Sequence, residues 1–165
     1  GPQNPKLMLI GEAPGEQESL QGRPFVGKAG KNLDHFLELA GLAREEIYIS
    51  NVVKIRPTKT GSTGRLSNRP PTKEEIAFFR PWLMAEIARV NPGVIATLGN
   101  VPLQAVTDSR LTIGEAHGKL MAAGETGRPL FALYHPASLI YNRSLAPVYE
   151  QDVRALAEIL RKGVF

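Results

Sequence analysis

The chain has 165 residues, 42% hydrophobic and 22% charged, a balance typical of one globular domain with its own hydrophobic core. It contains no cysteine, which excludes disulfides, thiol catalysis, thiolate zinc sites and cysteine-ligated iron–sulfur clusters. The formal net charge is only +4, so its distribution is more informative than its size, and no apolar run approaches the roughly 20 residues that cross a bilayer.

Strands and helices are predicted to alternate from the start of the chain. Residues 6–10 (KLMLI) form a short apolar run ended by Gly11, which predicts a buried strand. After a loop rich in Gly and Pro, apolar residues at three- and four-residue spacing predict a helix over residues 27–43, with Gly41 as its stop. Residues 47–53 (IYISNVV) are rich in β-branched side chains and predict the second strand.

The middle of the chain is less regular. Residues 54–71 contain Pro, Gly, Asn and Ser without periodicity, which predicts an irregular loop. Thr72 and Glu75 have the spacing of a capping box, so a helix is expected from about Lys73. Because Pro81 lacks a backbone donor, this helix is expected to be either kinked or split into two pieces.

Predicted strands and helices alternate again in the second half of the chain. Residues 94–98 (VIATL) predict a third strand, followed by a short helix from about Asn100. Residues 111–128 indicate only loops and a short strand. Residues 130–134 predict the fourth strand, and residues 147–161 predict a closing helix that begins at a proline.

This order predicts an α/β fold, a three-layer α/β/α sandwich around a four-stranded, mostly parallel sheet, formed by a single domain over residues 1–165. Ligands of such sheets bind beyond the carboxyl ends of the strands. Three of these ends carry polar residues, namely Glu12, Asn51 and His135. The sheet is therefore expected to bring a carboxylate, an amide and an imidazole together at one edge.

Positive charge is concentrated between residues 54 and 80. This segment holds seven basic residues and two acidic ones, so it accounts for the excess positive charge of the whole chain. The clustering favours contact with a polyanion. A loop that lysine and arginine keep hydrated is the alternative.

Five motifs follow in a specific order: GEAPGEQE, GRPFVGKAG, SNVVK, NRPPTKEE and YHPASLI. The first is neither a G-x-G-x-x-G fingerprint nor a P-loop, so nucleotide binding is not expected. Together the motifs resemble the family 4 uracil-DNA glycosylases, the iron–sulfur type, over nearly the whole chain. The resemblance implies an active site at the carboxyl ends of the strands. It also implies hydrolysis of the N-glycosidic bond of uracil in DNA, which leaves an abasic site.

The resemblance also implies roles for individual residues. Its catalytic positions are Glu12 and His135, and its base-binding positions are Ala13, Glu18, Phe25 and Asn51. An aromatic ring stacks on an extruded base, and an asparagine amide offers both a donor and an acceptor to the edge of uracil. Each residue also has a purely structural interpretation: turn stabilisation for Glu12 and Asn51, solvent exposure for Glu18, core packing for Phe25 and an ordinary structural role for His135.

DNA contacts are predicted in two segments. Residues 137–143 would enter the minor groove, with Leu139 or Ile140 as the wedge that fills the vacated stack. The stretch 58–67 (TKTGSTGRLS) looks longer than its family counterpart and is expected to reach phosphates. The complete predicted set is Lys54, Arg56, Lys59, Arg65, Arg69, Ser138, Leu139, Ile140 and Arg143.

The chain departs from the family at its cofactor. Members ligate a four-iron cluster through four cysteines, and the two later positions fall at Ile55 and Phe79, while the earlier pair would lie upstream of Gly1. We therefore expect no cofactor and no metal. We predict that Ile55 and Phe79 pack against each other in place of the cluster.

Three other functions stay open. The chain could be a related glycosylase for another deaminated base, with the pocket around Glu18 and Asn51 used differently. It could also be a non-catalytic nucleic-acid-binding protein, or a covalent trap in which His135 attacks the sugar carbon. For the leading interpretation the partner is DNA containing uracil, the protein is a monomer without a membrane partner, and its location is the cytoplasm.

Overall fold

The computed structural model describes residues 1–163 and contains seven strands and seven α-helices within them. The strands are β1 (Leu7–Gly11), β2 (Tyr48–Asn51), β3 (Thr58–Thr60), β4 (Leu66–Asn68), β5 (Val94–Leu98), β6 (Leu120–Ala122) and β7 (Pro129–Leu133). The helices are α1 (Glu16–Gln21), α2 (Lys28–Ala40), α3 (Lys73–Val90), α4 (Asn100–Thr107), α5 (Ile113–Ala116), α6 (Ser138–Tyr141) and α7 (Leu145–Lys162).

The central sheet has the order β2-β1-β5-β7-β6 and confirms the predicted α/β class. Its first four strands are parallel, and β6 pairs antiparallel with β7 at one edge. The sheet therefore has five strands rather than the predicted four. The fifth strand, β6, is the short strand expected within residues 111–128. It was not counted in the sheet because three residues are too few to show a period.

Alternation along the strands places a hydrophobic core on each face of the sheet. Leu7 and Leu9 of β1 face the core that contains the buried side chains of α2 and α7. Met8 and Ile10 face the opposite core, which contains those of α3 and α4. Both faces of β1 and β5 are buried, as expected for the centre of a parallel sheet. No helix within residues 1–163 combines the length and apolar character of a membrane span.

Helix α3 runs without interruption through Pro81, so the two-piece alternative is wrong. Its start is fixed by the predicted capping box, in which the Thr72 hydroxyl accepts from the Glu75 amide and the Glu75 carboxylate accepts from the Thr72 amide. Leu83 and Ile87 anchor its second half in the core. The capped start and the buried second half stabilise α3, which compensates for the hydrogen bond lost because Pro81 has no backbone donor.

The segment predicted as an irregular loop contains a two-stranded antiparallel hairpin. Thr58, Lys59 and Thr60 of β3 pair with Asn68, Ser67 and Leu66 of β4, respectively. Most residues of both strands are exposed, so no hydrophobic alternation marks them in the sequence. The loop after β1 likewise contains the short helix α1, which buries no residue.

Candidate active site

The carboxyl ends of β1, β2 and β7 meet at one edge of the sheet and place three polar side chains together. Glu12 directly follows β1, Asn51 is the last residue of β2, and His135 lies just beyond β7. All three line one small cavity of about 80 Å³. The other lining residues are Ala13, Glu18, Phe25 and Ala29. Drug-sized ligands usually occupy roughly 300–1,000 Å³, so this cavity suits a much smaller group.

Glu12 and His135 also line a second, wider cleft of about 260 Å³. Gly99, Asn100 and Ser138 belong to its remaining wall. The carboxylate and the imidazole therefore lie between a small cavity and a wider cleft. A group held in the cavity and joined to a larger one in the cleft would have its connecting bond beside these two side chains.

The hydrogen bonding of His135 defines its tautomer. The Ala137 backbone N–H donates to Nδ1 at 3.0 Å, so this nitrogen carries a lone pair and the proton of the neutral ring lies on Nε2. Burial lowers the pKa of His135 below its ordinary value of 6.5, which keeps the ring neutral at pH 7. His135 can therefore donate a hydrogen bond through Nε2.

The Glu12 side chain is partly buried on the loop that follows β1. The Val53 amide donates to its backbone carbonyl at 3.1 Å, which ties the loop to the end of β2. Burial raises the pKa of the carboxyl group above its ordinary value of 4.5. Its carboxylate accepts no hydrogen bond from residues 1–163, so it is available to a water molecule or a cationic centre.

Gly11 allows the walls of the cavity to approach the main chain of β1. A Cβ atom at this position would lie 2.6 Å from Asn51 Oδ1 and 2.8 Å from Phe25 Cζ, closer than real side chains come. The amide and the aromatic ring can therefore face the same small space only because Gly11 has no side chain.

Asn51 is held at the end of β2 by its neighbours. The Lys54 ammonium donates to the Asn51 carbonyl at 2.6 Å, to Ser50 Oγ at 2.7 Å and to Glu86 at 2.7 Å. Glu86, on α3, also accepts from the hydroxyls of Ser50 and Tyr48. Lys54 was predicted to contact DNA, but the structure shows its charge neutralised by Glu86.

The loop around Phe25 is tied together by Glu18. Its carboxylate accepts from the backbone N–H groups of Gly15, Val26 and Gly27 at 3.0, 2.9 and 2.8 Å. Burial raises the pKa of Glu18, but the three hydrogen bonds outweigh it and the pKa lies below 4.5. Glu18 thus forms part of the pocket wall, with both oxygens engaged by the loop. It also helps to hold Phe25, whose φ of +53° costs a non-glycine residue roughly 1–2 kcal/mol.

Two further basic residues of the predicted DNA-contacting set have intramolecular partners. Arg56 donates to Asn68 at 2.7 Å and pairs with Glu16 at 3.4 Å. Arg69 forms a bidentate pair with Glu75 at 2.6 and 3.1 Å, and its hydrogen bonds lower the pKa of Glu75 to about 2. These arginines attach the hairpin to the rest of the protein.

Lys59 and Arg65 differ from Lys54, Arg56 and Arg69, the other predicted DNA-contacting residues of this segment. Both are exposed on the hairpin, and neither side chain forms a hydrogen bond or ion pair with another residue in the range 1–163. Within the predicted set of this segment, Lys59 and Arg65 therefore carry the charges that have no partner in the range 1–163, and their contact with phosphate stays a prediction.

The segment predicted to enter the minor groove forms α6 and the turn that follows it. Leu139 packs against the core, whereas the Ile140 and Tyr141 side chains are 74% and 90% exposed. Ser138 lines the wider cleft, and Arg143 is exposed. Of the two predicted wedge residues, Ile140 is the exposed one, and its insertion into DNA stays a prediction.

The prediction that Ile55 and Phe79 pack together is wrong. Ile55 is 57% exposed and lines a separate cleft. Phe79, a residue of α3, packs at the edge of the core and contacts Phe78 edge to face. The chain bends over residues 52–55 directly after β2, and Ile55 faces solvent at the end of this bend.

The residues present do not fit the iron–sulfur cluster that the resemblance implies. The chain has no cysteine, and its two corresponding positions carry apolar side chains. In the described part of the chain no group of three or more His, Asp or Glu side chains could hold a metal ion either.

Sequence reasoning missed two residues that support the site, Arg44 and Glu86. Arg44 donates to the carbonyls of Pro24 and Phe25, and Glu86 holds Lys54. Neither residue lies in a motif, and each contacts a segment distant in sequence. No local signal in the sequence identifies them.

Several known proteins resemble this chain in sequence or in fold. The family model described as "Uracil DNA glycosylase superfamily" matches residues 1–160. The chain is 35% identical to the type-4 uracil-DNA glycosylase of Archaeoglobus fulgidus over 98% of this chain and 80% of that protein. It is 37% identical to the type-4 enzyme of Saccharolobus solfataricus over 94% and 71%. The crystal structure of WT Pedobacter heparinus SMUG2 superposes with a TM-score of 0.63 at 14% identity, over 96% of this chain and 77% of that one, which shows the shared fold alone.

Proposed function

The chain belongs to the uracil DNA glycosylase superfamily, and we propose that it is a uracil-DNA glycosylase, a hydrolase that breaks the N-glycosidic bond of uracil in DNA and leaves an abasic site. The observation that carries this proposal is the cavity lined by Glu12, Phe25, Asn51 and His135. The protein would act as a monomer on DNA.

In this proposal the uracil nucleotide leaves the duplex and its base enters the small cavity. Extrusion costs a few kcal/mol, and stacking on an aromatic ring such as that of Phe25 returns roughly 1–3 kcal/mol. The Asn51 side chain can donate to uracil O4 and accept from N3–H. Exposed Ile140 would fill the vacated stack from the minor groove.

Bond cleavage then places negative charge on the departing uracil and positive charge on the sugar. The Nε2–H of His135 would stabilise the negative charge on a uracil oxygen, as a donor in an oxyanion hole does. The Glu12 carboxylate would stabilise the sugar cation or orient the attacking water. The neutral imidazole and the ionised carboxylate are the forms that this division of roles requires.

The proposal is tested by base release from oligonucleotides that contain one uracil, either single-stranded or opposite guanine or adenine. We expect alkali-labile cleavage by the parent protein and far less by the Glu12→Ala and Asn51→Ala variants. If the parent releases no uracil from any of these substrates, the proposed activity is wrong. Salt-dependent binding without release would then indicate a DNA-binding relative.

The rate of uracil release is expected to fall on the acid side with a midpoint above pH 4.5. The active form of Glu12 is the carboxylate, and burial raises its pKa above that ordinary value, so protonation begins at a higher pH. The pKa of His135 lies below 6.5, so this residue adds no change at neutral or alkaline pH. Single-turnover rates measured across the pH range give the midpoint. In the slower Glu12→Gln variant the limb due to Glu12 should disappear, and an unchanged limb would contradict the assignment.

Replacing both Lys59 and Arg65 by alanine is expected to weaken DNA binding and reduce its salt dependence. Each lost phosphate contact removes nearly one counterion from the release that drives binding, so the slope of log K against log salt should fall by about one to two units. Fluorescence anisotropy at several salt concentrations measures this slope. The control removes Arg161 and Lys162, which lie in the last turn of α7, where Arg161 shares a cleft with Lys6, the residue before β1. If the slope of log K against log salt is the same in both double variants, Lys59 and Arg65 do not contact phosphates.

A further inference from the structure

Arg44, in the short 3-10 turn Arg44–Glu46, binds the main chain of the Phe25 loop. Its partly buried guanidinium donates through Nη1 to the Phe25 carbonyl at 3.0 Å and through Nη2 to the Pro24 carbonyl at 2.5 Å. Two hydrogen bonds from one planar group fix orientation as well as distance, which a lysine ammonium could not reproduce.

The same loop is held from its other side. The Glu18 carboxylate accepts from the amides of Val26 and Gly27. On α2, Gly30 lies so close that a Cβ atom there would be 2.9 Å from the Phe25 carbonyl oxygen. The three consecutive peptide groups between Pro24 and Gly27 are thus hydrogen-bonded to Arg44, to Glu18 or to both. The Phe25 carbonyl oxygen also lies against Gly30.

The contacts of Arg44 and Glu18 surround the residue of this loop that has an unfavourable backbone conformation, Phe25. Phe25 adopts a left-handed conformation that bulky residues rarely occupy, and such a conformation persists only where its surroundings impose it. With the backbone in this conformation, the buried ring of Phe25 lines the small cavity together with Asn51 and His135.

We propose that Arg44 is a positioning residue that holds the main chain of Phe25 in this conformation, so that the ring lines the base cavity before DNA binds. The kinetic consequence rests on the proposed function. Without Arg44, part of the loop would have to be ordered during binding. The entropy of ordering about one residue corresponds to roughly a tenfold loss of affinity.

The test compares Arg44→Gln and Arg44→Lys with a matched control, Arg23→Gln. Arg23 belongs to the same loop and is exposed, and its side chain has no hydrogen bond to any residue described in the range 1–163. The whole chain is labelled with 4-fluorophenylalanine, and its fluorine NMR spectrum is recorded without DNA. The Phe25 signal is assigned with Phe25→Leu.

In Arg44→Gln we expect the Phe25 signal to move while the signals of core residues Phe36 and Phe131 stay in place. The DNA concentration for half-maximal uracil release should rise about tenfold, with the maximal rate changed by less than about threefold. Arg44→Lys should restore the Phe25 signal only in part, because it can keep only one bond, and Arg23→Gln should match the parent.

An unchanged Phe25 signal in Arg44→Gln would overturn the proposal. Movement of the Phe36 and Phe131 signals together with that of Phe25 would also overturn it, because Arg44 would then only stabilise the fold. If the parent protein releases no uracil, the proposed function fails, yet the spectra still decide the role of Arg44.

Discussion

Replacing His135 by alanine is expected to lower the maximal rate of uracil release by about 10²–10³-fold, the usual loss when one donor to a developing anion is removed. The structure gives the reason. The Ala137 amide occupies Nδ1, so Nε2–H is the ring donor that stays available, and His135 lines the cavity. Its bond to a uracil oxygen strengthens as negative charge develops, so the loss should affect the maximal rate more than the binding of DNA.

Single-turnover rates with excess protein measure this effect without interference from product release. His135→Gln retains an N–H donor on a flexible chain and should fall between the parent and the alanine variant. The control is His35→Ala, which removes a half-exposed imidazole from α2. If His135→Ala releases uracil within about threefold of the parent rate, the assigned role of His135 is wrong.

Gly11→Ala is expected to lower uracil release by about a hundredfold or more, although Gly11 supplies no chemical group. The new methyl group would lie 2.6 Å from Asn51 Oδ1 and 2.8 Å from Phe25 Cζ, so the amide and the ring must both move. A misplacement of about 1 Å in a reacting group or its holder can cost about 10²-fold. The overpacking should also lower the free energy of unfolding by about 1–3 kcal/mol.

Urea denaturation, run beside the activity assay, separates loss of the pocket from loss of the fold. Gly114→Ala is the matched control, because a Cβ atom on Gly114 meets nothing within 4 Å and its position in α5 favours alanine. It should keep full activity. A folded Gly11→Ala protein with parental activity would show that the base does not lie between Asn51 and Phe25.

The sequence predicts the central strands well because burial on both faces makes them continuous apolar runs. The predicted bounds of the third strand, residues 94–98, match β5. Polar residues at the strand ends are predictable for a related reason, since parallel strands bring their carboxyl ends to one edge. Strands β3 and β4 were missed because each has three mostly exposed residues, too few to show a period, whereas β6 is the short strand expected within residues 111–128.

Side-chain partners are harder to predict than strands. A lysine or arginine in a basic segment looks equally available to DNA wherever its acidic partner lies in the fold. Lys54 pairs with Glu86, which is 32 residues away, and Arg56 with Glu16, which is 40 residues away. Arg44 is 19 residues from the carbonyl that it binds. Such contacts depend on the packing of distant elements, which local periodicity does not describe.

The hairpin of β3 and β4 forms its own small sheet, and the arginines 56 and 69 join it to the body of the protein. Its tip can therefore lengthen or shorten without changing the core, since the entropic cost of a longer loop grows only slowly with length. In the proposed function, contact with DNA through the hairpin and cleavage of the glycosidic bond would therefore be separable properties. Sequence changes confined to the hairpin would then alter which DNA structures the protein binds, while the residues proposed to break the bond stay the same.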